Sequence, residues 1–105
     1  MPKYLLGYHG GSMPATPEEG EKVMAAWGSW IQDLGKAMVD AGNPTGPAKT
    51  IASNGTVSDG GGPNPLTGYS VIEAPNLDAA VKLAQNCPQL ASGGSIQVAE
   101  TFDVM

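Results

Sequence analysis

Two side chains in this sequence have the chemistry of an acid–base pair, His9 and Asp59. Imidazole is the side chain that most readily takes up and releases protons near neutral pH, and His9 is the single histidine. Two glycines follow it, so a general base at the end of a strand would have open space beside it. The same sequence pattern would also fit a histidine on the protein surface at the edge of a sheet. Asp59 precedes three glycines. It could orient His9 or act alone, or it could be an ordinary turn residue.

Trp27 and Trp30 lie three residues apart, a helical spacing that favours packing in the core. We expect Trp30 in the core and Trp27 at the wall of a cavity, because Gly28 leaves room beside it. Cys87, the single cysteine, precedes Pro88 and is expected to be buried without an internal disulfide. One histidine and one cysteine do not supply the usual ligands of zinc. The glycines at 60–62 lack the Lys-Ser/Thr of a phosphate loop. No metal or cofactor is therefore expected.

Composition limits the possible partners. The 105 residues are expected to form one domain over residues 1–105. Ten acidic residues against five basic ones, all lysines, give a net charge of −5, which repels nucleic acid and anionic lipid. No stretch approaches the roughly 18 apolar residues of a membrane span, and the short apolar run of the first residues is not expected to act as a signal peptide. With a lone cysteine, these features predict a cytoplasmic protein.

The pattern of the first half of the chain predicts a strand and a long helix. The strand covers about Lys3 to His9. Thr16 can accept a hydrogen bond from a free backbone N–H, Pro17 suits the first helical position, and Glu19 completes a capping box. Apolar residues then recur at spacings of three and four, which predicts one buried helix face that Gly42 ends. This face comprises Val23, Trp27, Trp30, Leu34, Met38 and Ala41.

The second half repeats the order of strand and helix. A hairpin is predicted from Ala48 to Asp59, with its turn at Asn54-Gly55, the pair preferred in a two-residue type I′ turn. A strand from Gly68 to Glu73 leads into a helix that opens at Asn76, and the last strand begins at Ser95 and runs to about Val104. The second helix is expected to bury Leu77, Ala80, Val81 and Ala84 and to stop at Pro88. This order predicts an α+β fold with both long helices on one face of a four-stranded antiparallel sheet.

The ordered set of these features resembles the YCII-related family, in particular its branch with an Asp-Gly-Pro-Phe motif. The resemblance covers essentially the whole chain. It rests on the opening strand Lys3–Leu6, the Pro-Glu-Glu helix start, Asp59–Gly62 in place of Asp-Gly-Pro-Phe, Gly68-Tyr69 with Ile72, the segments Ala74–Ala80 and Asn86–Pro88, and a closing strand with Ile96, Val98 and the terminal Met105.

The resemblance implies a ferredoxin-like βαβ-βαβ unit that pairs into a dimeric α+β barrel. A physical argument independently favours a homodimer. Two helices cover only one face of the predicted sheet, and the other face would expose leucine, tyrosine, valine and isoleucine side chains in one patch, which soluble monomers rarely tolerate.

The resemblance also implies a range of functions. Some members are similar to small-molecule enzymes, one of them a dehydrochlorinase with a His–Asp pair. The family's histidine lies near the start of the first helix, where Trp27 falls here, while Asp59 corresponds to the motif's aspartate. We therefore expect a pocket for a small, mostly apolar molecule, bordered by the end of the first strand, the first helix and the glycine loop, with His9, Trp27 and Asp59 near it.

Three hypotheses remain open from the sequence. The first is cofactor-free acid–base chemistry of the elimination, isomerase or lyase type, with His9 and Asp59 as catalytic residues. The second is a non-catalytic small-molecule-binding or accessory domain, and the third a cofactor-free oxygenase. The direction of His9 separates the first two: a ring in the cavity beside a carboxylate favours catalysis, and a ring in solvent favours binding.

Overall fold

A four-stranded antiparallel sheet in the order β2-β5-β1-β6 forms the centre of the fold. The computed structural model describes residues 1–104. The elements are β1 Lys3–His9, α1 Pro17–Leu34, β2 Met38–Asp40, β3 Lys49–Ile51, β4 Val57–Asp59, β5 Leu66–Glu73, α2 Leu77–Ala84, α3 Pro88–Ala91 and β6 Ser95–Glu100. This is the ferredoxin-like strand order, so the predicted fold class is confirmed.

Alternate residues of β1 point to opposite faces of the sheet. Tyr4, Leu6 and Tyr8 are all buried, with exposures of 1%, 0% and 5%. They form the core together with Trp30 of α1 and the small residues of α2. The indole Nε1 of Trp30 donates to the carbonyl of Leu83 over 3.0 Å and so ties the two helices together. Both long helices therefore lie on one face, as predicted.

Both long helices begin directly after the capping residues that the sequence predicted. Thr16 Oγ1 accepts the N–H of Glu19 at 3.1 Å, and the Glu19 carboxylate in turn accepts the N–H of Ala15 at 3.0 Å. At α2 the side-chain oxygen of Asn76 accepts the N–H of Ala79 at 2.8 Å. Among residues 1–104, no helix is long and apolar enough to cross a bilayer.

The end of the first helix was predicted wrongly. α1 ends at Leu34 and not at Gly42. Gly35 adopts a φ of 53°, and its N–H bonds back to the carbonyls of Gln32 and Ile31. This left-handed conformation suits glycine and ends the helix. After one 3₁₀ turn the chain continues as β2, where Met38 pairs with Ile72 of β5.

Two details of the second helix also differ from the prediction. Leu77 and Val81 are 46% and 37% exposed, so the inward residues are Ala80 and Ala84, with Leu83 packed beside them. Pro88 opens the short helix α3 rather than only closing α2. The last strand ends at Glu100, short of the predicted Val104, and the terminal Met105 lies outside the described residues.

The predicted hairpin is formed by β3 and β4, in which Lys49 pairs with Asp59 and Ile51 with Val57. Its turn is not type I′. The N–H of Gly55 bonds to the carbonyl of Ala52 at 2.8 Å, and within the described chain positive φ values occur only at glycines. Asn54 is therefore not left-handed. Gly55, with a φ of 89°, is the last residue of a turn over Ala52–Gly55 and leads the chain toward β4.

Candidate functional site

A cavity of about 810 Å³ opens between α1, the segment after β1 and α3. Its volume lies within the range of about 300–1,000 Å³ that is typical of small-molecule pockets. Apolar side chains make up most of its wall. They include Met13, Pro14, Val23, Ala26, Trp27 and Pro88.

Trp27 lines the cavity from the middle of α1. Its ring meets Tyr8 edge-on, with centroids 5.4 Å apart and planes at 71°, and it meets Trp30 at 5.8 Å and 85°. Edge-to-face packing of this kind holds an aromatic ring in a defined orientation. Trp30 itself is 4% exposed and belongs to the core, as expected. Trp27 thus presents a fixed aromatic surface to the cavity.

Beneath Trp27, the phenol of Tyr8 belongs to a buried hydrogen-bond chain. Its hydroxyl donates to Ser70 Oγ at 2.7 Å, and Ser70 donates to the carbonyl of Ala41 at 2.7 Å. Burial raises the pKa of Tyr8 well above its usual range, so the phenol stays protonated at neutral pH. Burial also raises the pKa of the Cys87 thiol. Cys87 is 3% exposed, as predicted, and lacks the reactive thiolate of a nucleophile.

The polar end of the cavity is organised by Gln89, which the sequence analysis did not single out. Its Nε2 donates to the main-chain carbonyls of His9 at 3.0 Å and Gly10 at 3.2 Å. Gly94 makes this approach possible, because a Cβ there would collide with Gln89 Nε2 and with the His9 carbonyl. Gln89 therefore holds the end of β1 against the cavity.

The side chain of His9 lies on the opposite face of the sheet from this cavity. A Cβ built on Gly7, which alternates with the buried Leu6 and Tyr8, would point toward His9 Nε2 and Leu66. His9 Nδ1 lies 3.0 Å and 3.2 Å from the carbonyl oxygens of Asn64 and Pro65. Both partners can only accept, so Nδ1 carries the proton and Nε2 of the neutral ring is an acceptor.

Asp59 lies at the base of the exposed hairpin and pairs with Lys49, with 2.7 Å between the carboxylate and the ammonium. The two side chains are 91% and 67% exposed. Among the described residues no hydrogen bond joins His9 and Asp59, and neither Asp59 nor glycines 60–62 line the large cavity. The structure thus brings Trp27 to the cavity but does not bring His9 and Asp59 together there. Their catalytic roles stay predictions.

A second cavity, of about 480 Å³, lies between residues 45–51, which include β3, and the segment that holds the His9 ring. Asn64 and Leu66 border it, and Leu66 is the strand partner of His9. Within residues 1–104, no group of three His, Cys, Asp or Glu side chains is placed to hold a metal ion.

The sheet order and the large cavity define a small α+β protein of the ferredoxin-like type with a mostly apolar cleft beside its first helix. The model of the YCII-related domain matches residues 5–103, nearly the whole chain, and the protein therefore belongs to the YCII-related family. A comparison with curated proteins found no match.

Proposed function

We propose that this protein binds a small, mostly apolar molecule in the cavity beside α1. One observation carries the proposal: a cavity of about 810 Å³ has mostly apolar walls, with the aromatic face of Trp27 on one side and a few polar groups on the other. Small-ligand sites have this composition, because apolar area supplies binding energy and the polar groups fix orientation. A cytoplasmic setting is part of the proposal and is supported by the lone buried thiol.

A fragment screen that follows tryptophan fluorescence tests this proposal. A fragment that binds beside Trp27 should change the emission of the wild-type protein. Trp27→Leu should abolish that change and weaken binding measured by calorimetry, because it removes the aromatic face but keeps an apolar side chain. Met24→Ala is the matched control, since Met24 lies on the same helix and is 73% exposed. Equal binding by the Trp27→Leu protein would contradict the proposal.

Cofactor-free acid–base chemistry is a second candidate, and one observation favours it. His9 Nδ1 lies against two carbonyl oxygens, which can only accept, so in the neutral ring Nε2 is the nitrogen with the free lone pair. A base at this position would act on the open face of the sheet, near the smaller cavity. Turnover of a substrate found by screening should fall at least about a hundredfold in His9→Ala if His9 is the base. Unchanged turnover would remove His9 from the mechanism and leave the binding function.

We further propose that two copies pair through the open faces of their sheets. The helices cover the other face, and the open face carries apolar groups such as Leu5 and Leu66, which are 40% and 53% exposed. Burying such a patch against its own copy removes apolar surface from water. His9 would then be enclosed between the two sheets.

Light scattering at micromolar concentration tests the assembly. The wild type should have the mass of a dimer, and Leu5→Asp should have the mass of a monomer, because the new charge would be buried in the interface. Val57→Asp on the hairpin is the control, because Val57 is 56% exposed and lies outside the central sheet. A wild-type protein that stays monomeric would contradict this assembly.

A further inference from the structure

The charged and polar groups of the large cavity restrict what can bind there. The class of ligand that they select rests on the binding function proposed above. Two charged side chains line the cavity, Glu19 and Lys22. The Glu19 carboxylate accepts the N–H of Ala15 and lies in the first turn of α1, where the helix dipole favours a negative charge. The Glu19 carboxylate is therefore held at the start of the helix.

Lys22 is different. Within residues 1–104 the ion pair formed is Lys49–Asp59, so the Lys22 ammonium has no carboxylate partner in the described chain. It lines the cavity on the same helix as Val23 and Trp27. An ammonium has three N–H donors and no acceptor. The cavity therefore offers one positive charge beside an aromatic face.

The opposite wall can accept hydrogen bonds but has no hydroxyl proton left to donate. Four hydroxyl groups line it, and each donates to a main-chain carbonyl: Ser12 to Ser92, Ser92 to Gln89, Thr45 to Leu66 and Thr67 to Gly10. A hydroxyl that has donated its proton still has a lone pair that accepts. A ligand group that bonds to these hydroxyl oxygens therefore has to be a donor.

Gln89 adds an amide oxygen to this wall. The residue is only 8% exposed, and its Nε2 is fixed by two carbonyl oxygens that can only accept, so the orientation of the amide is determined. No hydrogen bond in the described chain reaches Oε1. No buried side-chain oxygen in the described chain lacks a hydrogen-bond partner, so Oε1 is accessible at the surface, and Gln89 lines the cavity. An amide oxygen that has no partner in the protein can accept a hydrogen bond from a ligand donor.

We propose that the cavity takes a ring-containing monocarboxylic acid that also carries a hydroxyl group. The carboxylate would meet Lys22, the ring would lie on Trp27, and the hydroxyl would donate to Gln89 Oε1 and its neighbouring oxygens. A neutral hydrocarbon would leave the polar wall unpaired, and a dianion would have one charge without a partner. Neither fits the groups present as well.

Calorimetry with four probes of similar size tests this ligand class: 4-hydroxybenzoate, benzoate, 4-hydroxybenzamide and toluene. We expect 4-hydroxybenzoate to bind tightest, because it alone has both the charge and the donor. Lys22→Gln should weaken it about tenfold, the size of one charge-assisted hydrogen bond, and leave 4-hydroxybenzamide unchanged. Lys36→Gln, which changes the net charge equally outside the cavity, is the control.

The outcomes separate this inference from the function on which it rests. If 4-hydroxybenzoate binds no tighter than toluene, or if Lys22→Gln and Lys36→Gln behave alike, the ligand class is wrong while a Trp27-dependent binding site stands. If no probe and no fragment binds in a way that depends on Trp27, the binding function itself is wrong, and the ligand class with it.

Discussion

On β1, Tyr4, Leu6 and Tyr8 are at most 5% exposed, whereas Leu5 between them is 40% exposed. One strand thus supplies two unlike surfaces. The helix-side face is sealed by α1 and α2 and holds the aromatic core on which the large cavity rests. The open face carries His9, whose ring is held by loop carbonyls and not by a core.

The two faces of the sheet therefore have different roles: one carries the core and the cavity, and the other carries His9. The helix-side face combines stability with the walls of a binding cavity, since Tyr8 is buried in the core and also supports Trp27. The open face contributes little to the core, so its residues are available for assembly or chemistry. Substitutions on the two faces should therefore have different consequences.

The largest difference should appear between neighbouring leucines. Leu6→Ala removes a side chain with 0% exposure and should lower the free energy of unfolding by about 2–5 kcal/mol. Leu5→Ala should change it by no more than about 0.5 kcal/mol at concentrations where light scattering shows a monomer. Urea denaturation measures both. Similar losses of unfolding free energy in the two variants would mean that the two faces are equally buried.

A smaller effect is expected from the buried hydrogen-bond chain. Tyr8→Phe keeps the ring but removes the hydroxyl that donates to Ser70, while Ser70 keeps its own bond to the carbonyl of Ala41. The loss should be about 1 kcal/mol in urea denaturation, the usual net value of one hydrogen bond. A loss above about 3 kcal/mol would show that the phenol also organises the packing of Trp27.

Alkaline pH should weaken the helix-side face in a predictable direction. Burial raises the pKa values of Tyr8 and Cys87, so the folded protein holds these protons more tightly than the unfolded chain. Their contribution is complete below the unfolded pKa values, about 8.5 for a thiol and about 10 for a phenol, and is lost as the pH rises above them. Urea denaturation from pH 8 to 11 should show a fall that is shallower in Tyr8→Phe. A constant free energy of unfolding would contradict the buried state of both groups.

The smallest effect should come from the hairpin. Asp59→Ala breaks the pair with Lys49, but both side chains are mostly exposed, and pairs of this kind contribute little in water. The melting temperature should not change measurably. A clear decrease would show that Asp59 has a structural partner beyond Lys49, and a loss of turnover alone would revive its proposed role in catalysis.

Local signals in the sequence predicted much of the fold. Thr16 and Asn76 act as helix caps because capping depends on residues only three positions away. The strand at Met38 was missed, because its spacing from Leu34 fits a helix as well as it fits a strand. Residues 38–40 form a strand because they pair with the edge of β5, a contact between distant parts of the chain. The hairpin was found, but the hydrogen bonds of the Ala52–Gly55 turn were not, because asparagine before glycine is compatible with several turns.

The site was less predictable, because it depends on contacts between distant residues. Trp27 was predicted at the cavity wall from the neighbouring Gly28 and from its place in the family resemblance, and it does line the cavity. The direction of His9 follows from strand alternation, since Tyr4, Leu6 and Tyr8 point inward and the next residue must point outward. Gln89 carried no local signal at all: its partner, the carbonyl of His9, lies 80 positions away.

Amide chemical-shift mapping with a library of small ring-containing fragments tests the central claim, that the helix-side cavity is the binding site. We expect shifts at the indole N–H of Trp27 and at the amides of Gly11 and Ser92, all of which line the cavity. The amides of Leu5 and His9 should move less. Shifts confined to the open face around His9, or no shifts for any fragment, would show that the helix-side cavity is not the binding site.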